Sequence, residues 1–290
     1  MIIEYNFPRY LSAKKTVDDR ALNGHVWQAL RHHLPAQPHI LEIGAGIGTM
    51  VERLAEQKFI SSANYTAIDN QPENIAEARQ RLANLPPQLQ LTLEAVDLFD
   101  FMERETEKQP APVKTWGPFD LLIAHAFLDL MDIPATLPKL FSLLKPSGLF
   151  YFSINFDGVT IFEPVIDPVL DEQIMQLYHQ TMDERITDGK PSGDSRSGRH
   201  LFQHLKQAGS TILAAGSSDW VVFAGENGYV ADEAYFLHFI VETMRQALIH
   251  RPELDQTQFA NWIAQRHRQI ESGELLYIAH QLDFLGRWSG

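Results

Sequence analysis

The chain has no cysteine, so disulfides, thiolate metal ligands and a thiol nucleophile are all excluded. It is also short of basic residues. Lys and Arg number 24 against 37 Asp and Glu, and a formal charge of −13 opposes loose attraction to a phosphate backbone. The densest basic spots, Arg31-His32-His33 and Arg266-His267-Arg268, are brief and read as solvated helix faces. No apolar run approaches the ~20 residues of a membrane span. Met1 to Pro8 has neither the basic start nor the cleavage site of a secretory signal. Internal repeats and low-complexity tracts are missing too. The expectation is a cytoplasmic globular protein with no membrane or nucleic-acid partner; its oligomeric state is not written in these features. With 290 residues, 44% of them hydrophobic, the chain can bury one large α/β core.

Against that background one stretch stands out, Ile40-Leu41-Glu42-Ile43-Gly44-Ala45-Gly46-Ile47-Gly48-Thr49. An apolar run with an embedded acid ends in three glycines at alternate positions, and Met50 to Glu56 then reads as a helix. Strand, glycine turn and helix open a nucleotide-binding βα unit, in which the missing Cβ atoms let the backbone turn sharply and a ligand come close. The spacing is G-x-G-x-G, and Thr49 stands where a dinucleotide fingerprint wants Gly or Ala. Tyr65 to Asp69 reads as a second strand ending in an acid, where a carboxylate can accept from a ribose diol. A helix follows from Glu73 to Leu82, then a third strand, Leu89 to Val96, ending in Asp97-Leu98-Phe99. Residues 103–118 are polar and proline-broken, a surface excursion. Phe119 to His125 is a fourth strand, nearly all apolar as a doubly buried strand should be. A helix from Ala135 to Leu144 leads through Lys145-Pro146-Ser147-Gly148 into a fifth strand, Leu149 to Asn155.

In this order and at these spacings, residues 39–155 resemble the class I S-adenosylmethionine-dependent methyltransferases. Glu42, Gly44, Gly46 and Gly48 match that family's E/D-x-G-x-G-x-G motif, and Leu-Lys-Pro-Ser-Gly-Leu matches the entry to its fifth strand. The resemblance implies a seven-stranded Rossmann-like α/β sheet, mostly parallel with an antiparallel last strand, carrying helical cap insertions. It implies S-adenosyl-L-methionine as cofactor, held by Glu42, Gly44, Ala45, Gly46, Gly48, Asp69, Asn70, Asp97, Leu98, Phe99, His125, Ala126 and Phe127. In it the acid after the third strand faces the adenine amino group; for Asp97 a turn or N-cap role stays open beside that one.

Outside residues 39–155 the pattern diverges. Residues 1–38 read as an N-terminal helical cap, with one helix carrying Leu22, Val26, Trp27 and Leu30 on its face. Residues 39–290 read as the methyltransferase domain, with insertions at about 156–200 and 229–272. The first insertion holds a helix, Pro168 to Glu184, and a polar loop, 189–198; a further helix spans 199–208. A sixth strand, Ser210 to Ala215 with or without Trp220 to Phe223, two helices, Ala231–Ile249 and Gln256–Glu271, and a last strand, Leu275 to Leu282, complete the chain.

The position after the fourth strand reads His125-Ala126-Phe127-Leu128-Asp129. It lacks the Asn/Asp-Pro-Pro-Tyr/Phe signature of amino-group methylation on adenine or glutamine. It lacks the Asp-Asn pair of metal-dependent catechol-type enzymes, so no metal is expected, and the acid of polyamine synthases is replaced by Ala124-His125. His125 is the candidate general base, with a purely structural histidine as the alternative. Tyr10, Arg20, Arg196, Arg199 and His200 are the candidates to grip an acceptor, with Lys190, Tyr277 and His280 behind them. The expected activity is methyl transfer to an O or N atom of a small molecule. Methylation of a protein side chain, or a catalytically silent relative acting as an interaction module, are the competing readings.

Overall fold

The structure, a computed structural model, describes residues 5–107, 117–187 and 189–290. The most apolar segments form the middle of the sheet. β1 (His39–Ile43) runs parallel to β2 (Ala63–Asp69) on one side, Ile40 beside Tyr65, and to β4 (Phe119–His125) on the other, Ile40 beside Leu121. β3 (Leu89–Ala95) extends the first side and β5 (Leu144–Glu163) the second, both parallel. β10 (Leu276–Trp288) then lies antiparallel to β5, with β8 (Ser210–Ser217) antiparallel beyond it. The order is β3-β2-β1-β4-β5-β10-β8, so strand progression reverses between β1 and β4. Ligands of such sheets sit above the carboxyl ends of the strands at that reversal.

Alternation along β1 splits its side chains between two apolar layers. Leu41 and Ile43 join Phe141, Phe150 and Phe152 on one face, while Ile40 joins Val51, Tyr65 and Tyr151 on the other. A third cluster lies beyond the sheet, where α1 (Phe7–Ala21), α7 (Pro168–Asp183), α9 (Glu233–Leu248) and α10 (Gln256–Glu271) pack around Phe236, Trp262 and Tyr277. Among the described residues no helix is long and apolar enough to cross a membrane.

Several elements depart from the sequence expectation, each for a local reason. Residues 7–33 form two helices, because the Asn23 side chain accepts from the His25 and Val26 amides and starts α2 (Gly24–His33) afresh. α5 (Leu98–Glu107) absorbs the front of the polar 103–118 stretch; 108–116 lie outside the described residues. The fifth strand runs eight residues past Asn155 to Glu163, since β10 keeps pairing with it as far as Leu276 beside Glu163. Among the described residues the sheet is seven strands wide, as expected, and β9 adds an eighth segment off that path. The long β10 takes two short partners in line, β8 along Leu282–Trp288 and β9 (Trp220–Val222) along Tyr277–Ala279. The loop expected at 189–198 begins as a hairpin, β6 (Ile186–Thr187) with β7 (Lys190–Pro191), and α8 (Ser197–Gln207) starts inside its far end.

Candidate functional site

Above β1 the glycine turn adopts left-handed angles. Gly44 has φ of +63°, and a Cβ there would lie 2.2 Å from the Phe127 ring; Gly48, at +79°, opens α3 (Thr49–Glu56) and faces Leu82. Asp69 at the tip of β2 ties this turn down. Its Oδ2 accepts from the Gly46 amide at 2.8 Å, and its Oδ1 from the Gln71 amide and the Asn74 side chain at 2.9 and 3.0 Å. A carboxylate offers about four acceptor positions, which leaves one on Oδ2. Asp97 accepts from the Phe99 amide through Oδ1 at 2.7 Å, capping α5, with Oδ2 open. Beside it Leu98 is buried and Phe99 exposed. Glu42 is buried in the floor, and Tyr65 donates to its Oε2 at 2.8 Å. Burial pushes its carboxyl up to about 8, against the pull of the Tyr65 hydroxyl and Arg53.

His125, the candidate base, sits at the tip of β4 with both ring nitrogens engaged. Nδ1 is 2.8 Å from Ser153 Oγ, and Nε2 is 3.0 Å from Asp18 Oδ2. Asp18 on α1 also receives Lys14 Nζ at 2.7 Å and Trp220 Nε1 at 2.9 Å, all of them buried. Burial raises the Asp18 carboxyl, but Lys14, then His125 and Arg53, more than offset this and hold it below the ordinary range. Burial pushes the His125 imidazole down to about 4 despite Asp18. An ionised Asp18 can only accept, so a neutral His125 donates from Nε2 and accepts the Ser153 hydroxyl on Nδ1. It has no nitrogen left to take a proton from an acceptor, which favours the structural reading of this residue. Next to it Ala126, and across on β5 Ile154, both adopt left-handed backbone angles. Such outliers persist only where the surroundings hold them; here Asp283 accepts the Ile154 amide at 2.8 Å.

These groups line one cavity of about 1180 Å³. Glu42, Gly44, Ala45, Gly46, Asp69, Asn70, Asp97, Leu98, Phe99, His125, Ala126 and Phe127 reach it, whereas Gly48 serves the start of α3 instead. Of the five acceptor candidates Tyr10 alone reaches it. Arg20 pairs with Glu233 at 2.6 Å, Arg199 with Asp157 at 2.8 Å and His200 with Asp194 Oδ2, while Arg196 donates its backbone amide to Asp194. The side chains of Arg20, Arg199 and His200 are thus spent on the scaffold, and Arg196 stands off the cavity wall. Tyr277 lines the cavity; His280 pairs with Asp219 outside it, and the Lys190 side chain lies outside the described residues. Sequence reasoning did not single out Lys14, Asp18, Tyr178, Arg185 and Trp220 as lining the cavity, nor Asp129 as more than the end of the strand-four motif. The one local signal among them, a Lys14-Asp18 pair four apart, is common on solvated helices.

Comparison with known proteins adds the following. Residues 41–150 match the model of a methyltransferase domain family. The malonyl-[acyl-carrier protein] O-methyltransferase of Magnetococcus marinus is 29% identical over 148 residues, 46% of this chain and 49% of the relative, so the match spans about half of that protein's length. An S-adenosylmethionine-dependent methyltransferase of Thiobacillus denitrificans, solved with S-adenosyl-L-homocysteine, aligns over 99% of both chains at 14% identity and a TM-score of 0.49. One from Geobacter sulfurreducens, solved with the same ligand, aligns over 96% of this chain and 97% of its own at 12% identity and a TM-score of 0.49.

Proposed function

We propose that the chain, whose residues 41–150 match a methyltransferase domain family, is a class I S-adenosylmethionine-dependent methyltransferase that transfers a methyl group from S-adenosyl-L-methionine to an oxygen or nitrogen atom of a small molecule. The observation that carries the proposal is the size and division of the cavity. At about 1180 Å³ it exceeds the roughly 300–1,000 Å³ typical of a site for one drug-sized ligand. One end is walled by the glycine turn, Asp69 and Asp97, the other by Tyr10, Phe156, Tyr178, Trp220, Phe239 and Tyr277. A cofactor and a second molecule have room side by side.

The first end suits the cofactor. The Gly44–Gly46 turn presents backbone without side chains, Asp69 keeps one acceptor position for a ribose hydroxyl, and Asp97 Oδ2 is free for an adenine amino group between Leu98 and Phe99. When bound, the cofactor supplies a methyl group already activated on a sulfonium. The protein then has to orient the acceptor and exclude water. We assign that task to the helical segments: residues 1–38 as a cap, with insertions at about 156–200 and 229–272, whose α1, α7 and α9 side chains roof the second end. His125, pinned by Asp18 and Ser153, positions the cap against the strand tips. The aromatic character of the roofed end supports a small acceptor over a basic peptide.

Calorimetry with S-adenosyl-L-methionine, S-adenosyl-L-homocysteine and NADH tests the cofactor half. The expected result is saturable binding of the first two and none of NADH. Binding of NADH alone would sink the proposal.

A further inference from the structure

The roofed end of the cavity holds polar groups for which the fold has no use. Tyr10 on α1, Tyr178 on α7 and Tyr277 on β10 line it, and burial raises all three phenols above their ordinary range. None of the three hydroxyls finds a hydrogen-bond partner among the described residues. Two further lining side chains bury an oxygen with no partner there, Asp129 through Oδ1 and Gln281 through Oε1. An acceptor sealed away without a donor is costly and is normally explained by something that arrives later.

The nearby cations do not answer this need. Lys14 is committed to Asp18 at 2.7 Å. Arg185 extends over the backbone carbonyl of Asp129, at 3.5 Å, and not over its carboxylate. Burial therefore raises the Asp129 carboxyl, although its own backbone amide, Arg185 and Lys14 pull the other way. Asp129 stands four residues beyond His125, in the turn that follows β4, with the Tyr10 and Tyr178 phenols in electrostatic range, and the same cavity is lined by apolar side chains such as Phe156 and Ile240.

We propose that the roofed end binds the methyl acceptor through a hydroxyl or amine carried on an apolar body, and that Asp129 receives the proton this group gives up. The inference rests on the proposed methyl transfer and assigns the acceptor's class. The acceptor's oxygen or nitrogen forms a bond to the methyl carbon as the methyl–sulfur bond breaks with its electron pair left on sulfur. The acceptor's proton passes to Asp129 Oδ1, turning carboxylate into carboxyl, and the Tyr10, Tyr178 and Tyr277 hydroxyls hold the group in line. A carboxylic acceptor fits badly, since it has no proton to give and sets a like charge against Asp129. A carboxyl raised by burial is also the better base for this step.

The test uses three probes that share a ring and differ in their polar group: benzyl alcohol, benzylamine and benzoate. The protein is saturated with S-adenosyl-L-homocysteine and titrated with each by ligand-observed NMR. The alcohol and amine are expected to bind about tenfold or more tighter than benzoate. That margin should collapse in Asp129→Asn and narrow several-fold in Tyr178→Phe. Benzoate binding as tightly as the donors overturns the inference, as does a margin that survives Asp129→Asn, or failure of all three probes at their solubility limits. Should Asp129→Asn not fold, the ranking on unaltered protein decides alone. Failure to bind S-adenosyl-L-homocysteine refutes the methyltransferase proposal instead, and the probes are then ranked on the protein without it.

Discussion

The two ends of the cavity are built by opposite means. At the cofactor end the polar contacts are short in sequence: Asp97 reaches Phe99, Asp69 reaches Gln71 and Asn74, and the longest tie, Asp69 to Gly46, spans 23 residues within one βαβ unit. At the acceptor end Asp18 reaches His125 across 107 residues and Trp220 across 202. The first end is a backbone device, assembled by turns and usable wherever strand, glycine turn and helix occur together. The second is a side-chain device that exists only once α1 has docked on β4 and β9. Damage to the first should weaken ligands and spare the fold; damage to the second should loosen the fold itself.

The largest effect should come from breaking the second device at its centre. Asp18→Ala leaves Lys14 buried without its counter-charge and takes the acceptor from His125 and Trp220. Removing one partner of a buried pair costs about 3–5 kcal/mol, read as a lower urea midpoint. A loss under about 1 kcal/mol would show that α1 is held by its apolar face instead.

Next comes pH, where the two ends carry opposite signs. His125 is held near 4 against an ordinary 6.5, so between those values the unfolded chain binds a proton that the native state refuses. Stability is full above 6.5 and lost as pH falls through this window, on the order of 3 kcal/mol. Glu42 is raised from 4.5 to about 8, so its contribution is full below 4.5 and declines as pH rises toward and through 8. His125→Asn should flatten the acid limb only, and Glu42→Gln the alkaline limb only. A single variant that flattens both would mean the two ends do not titrate independently.

Asp69→Ala sharpens the comparison from the other side. Loss of its charge-assisted bonds should weaken S-adenosyl-L-homocysteine by about 1.5–3 kcal/mol in calorimetry. Part of that comes from the ribose, and part from freeing the Gly46 amide that Asp69 holds. Unchanged affinity would place the ribose contact at another strand tip. The smallest effect on binding should be that of Arg20→Ala. It removes two bonds to a fully buried Glu233, at about 1–3 kcal/mol of stability. The ligand's affinity should stay within about twofold, because Arg20 lies off the cavity wall. A larger change would bring Arg20 back into the site.

Much of the architecture was legible in the sequence, and the reason is distance along the chain. A glycine at Gly44 is demanded by a backbone angle of +63° and by the Phe127 ring that a Cβ would strike. Doubly buried strands such as Phe119 to His125 show as apolar runs because both their faces are dry. The sequence by itself thus determined the order of the core elements, the turn, and the carboxylates Asp69 and Asp97 at the strand tips. It did not determine the acceptor end. Arg199 and His200 looked available because their partners, Asp157 and Asp194, gave no sign of pairing with them. Ile154, a β-branched residue at φ of +59°, could be placed there only once Asp283 on the last strand had come to hold its amide. Which side chains meet there depends on how α1, α7, α9 and β10 dock on the strand tips. Docking is decided by packing between residues far apart in sequence, and no local pattern of residue types records it.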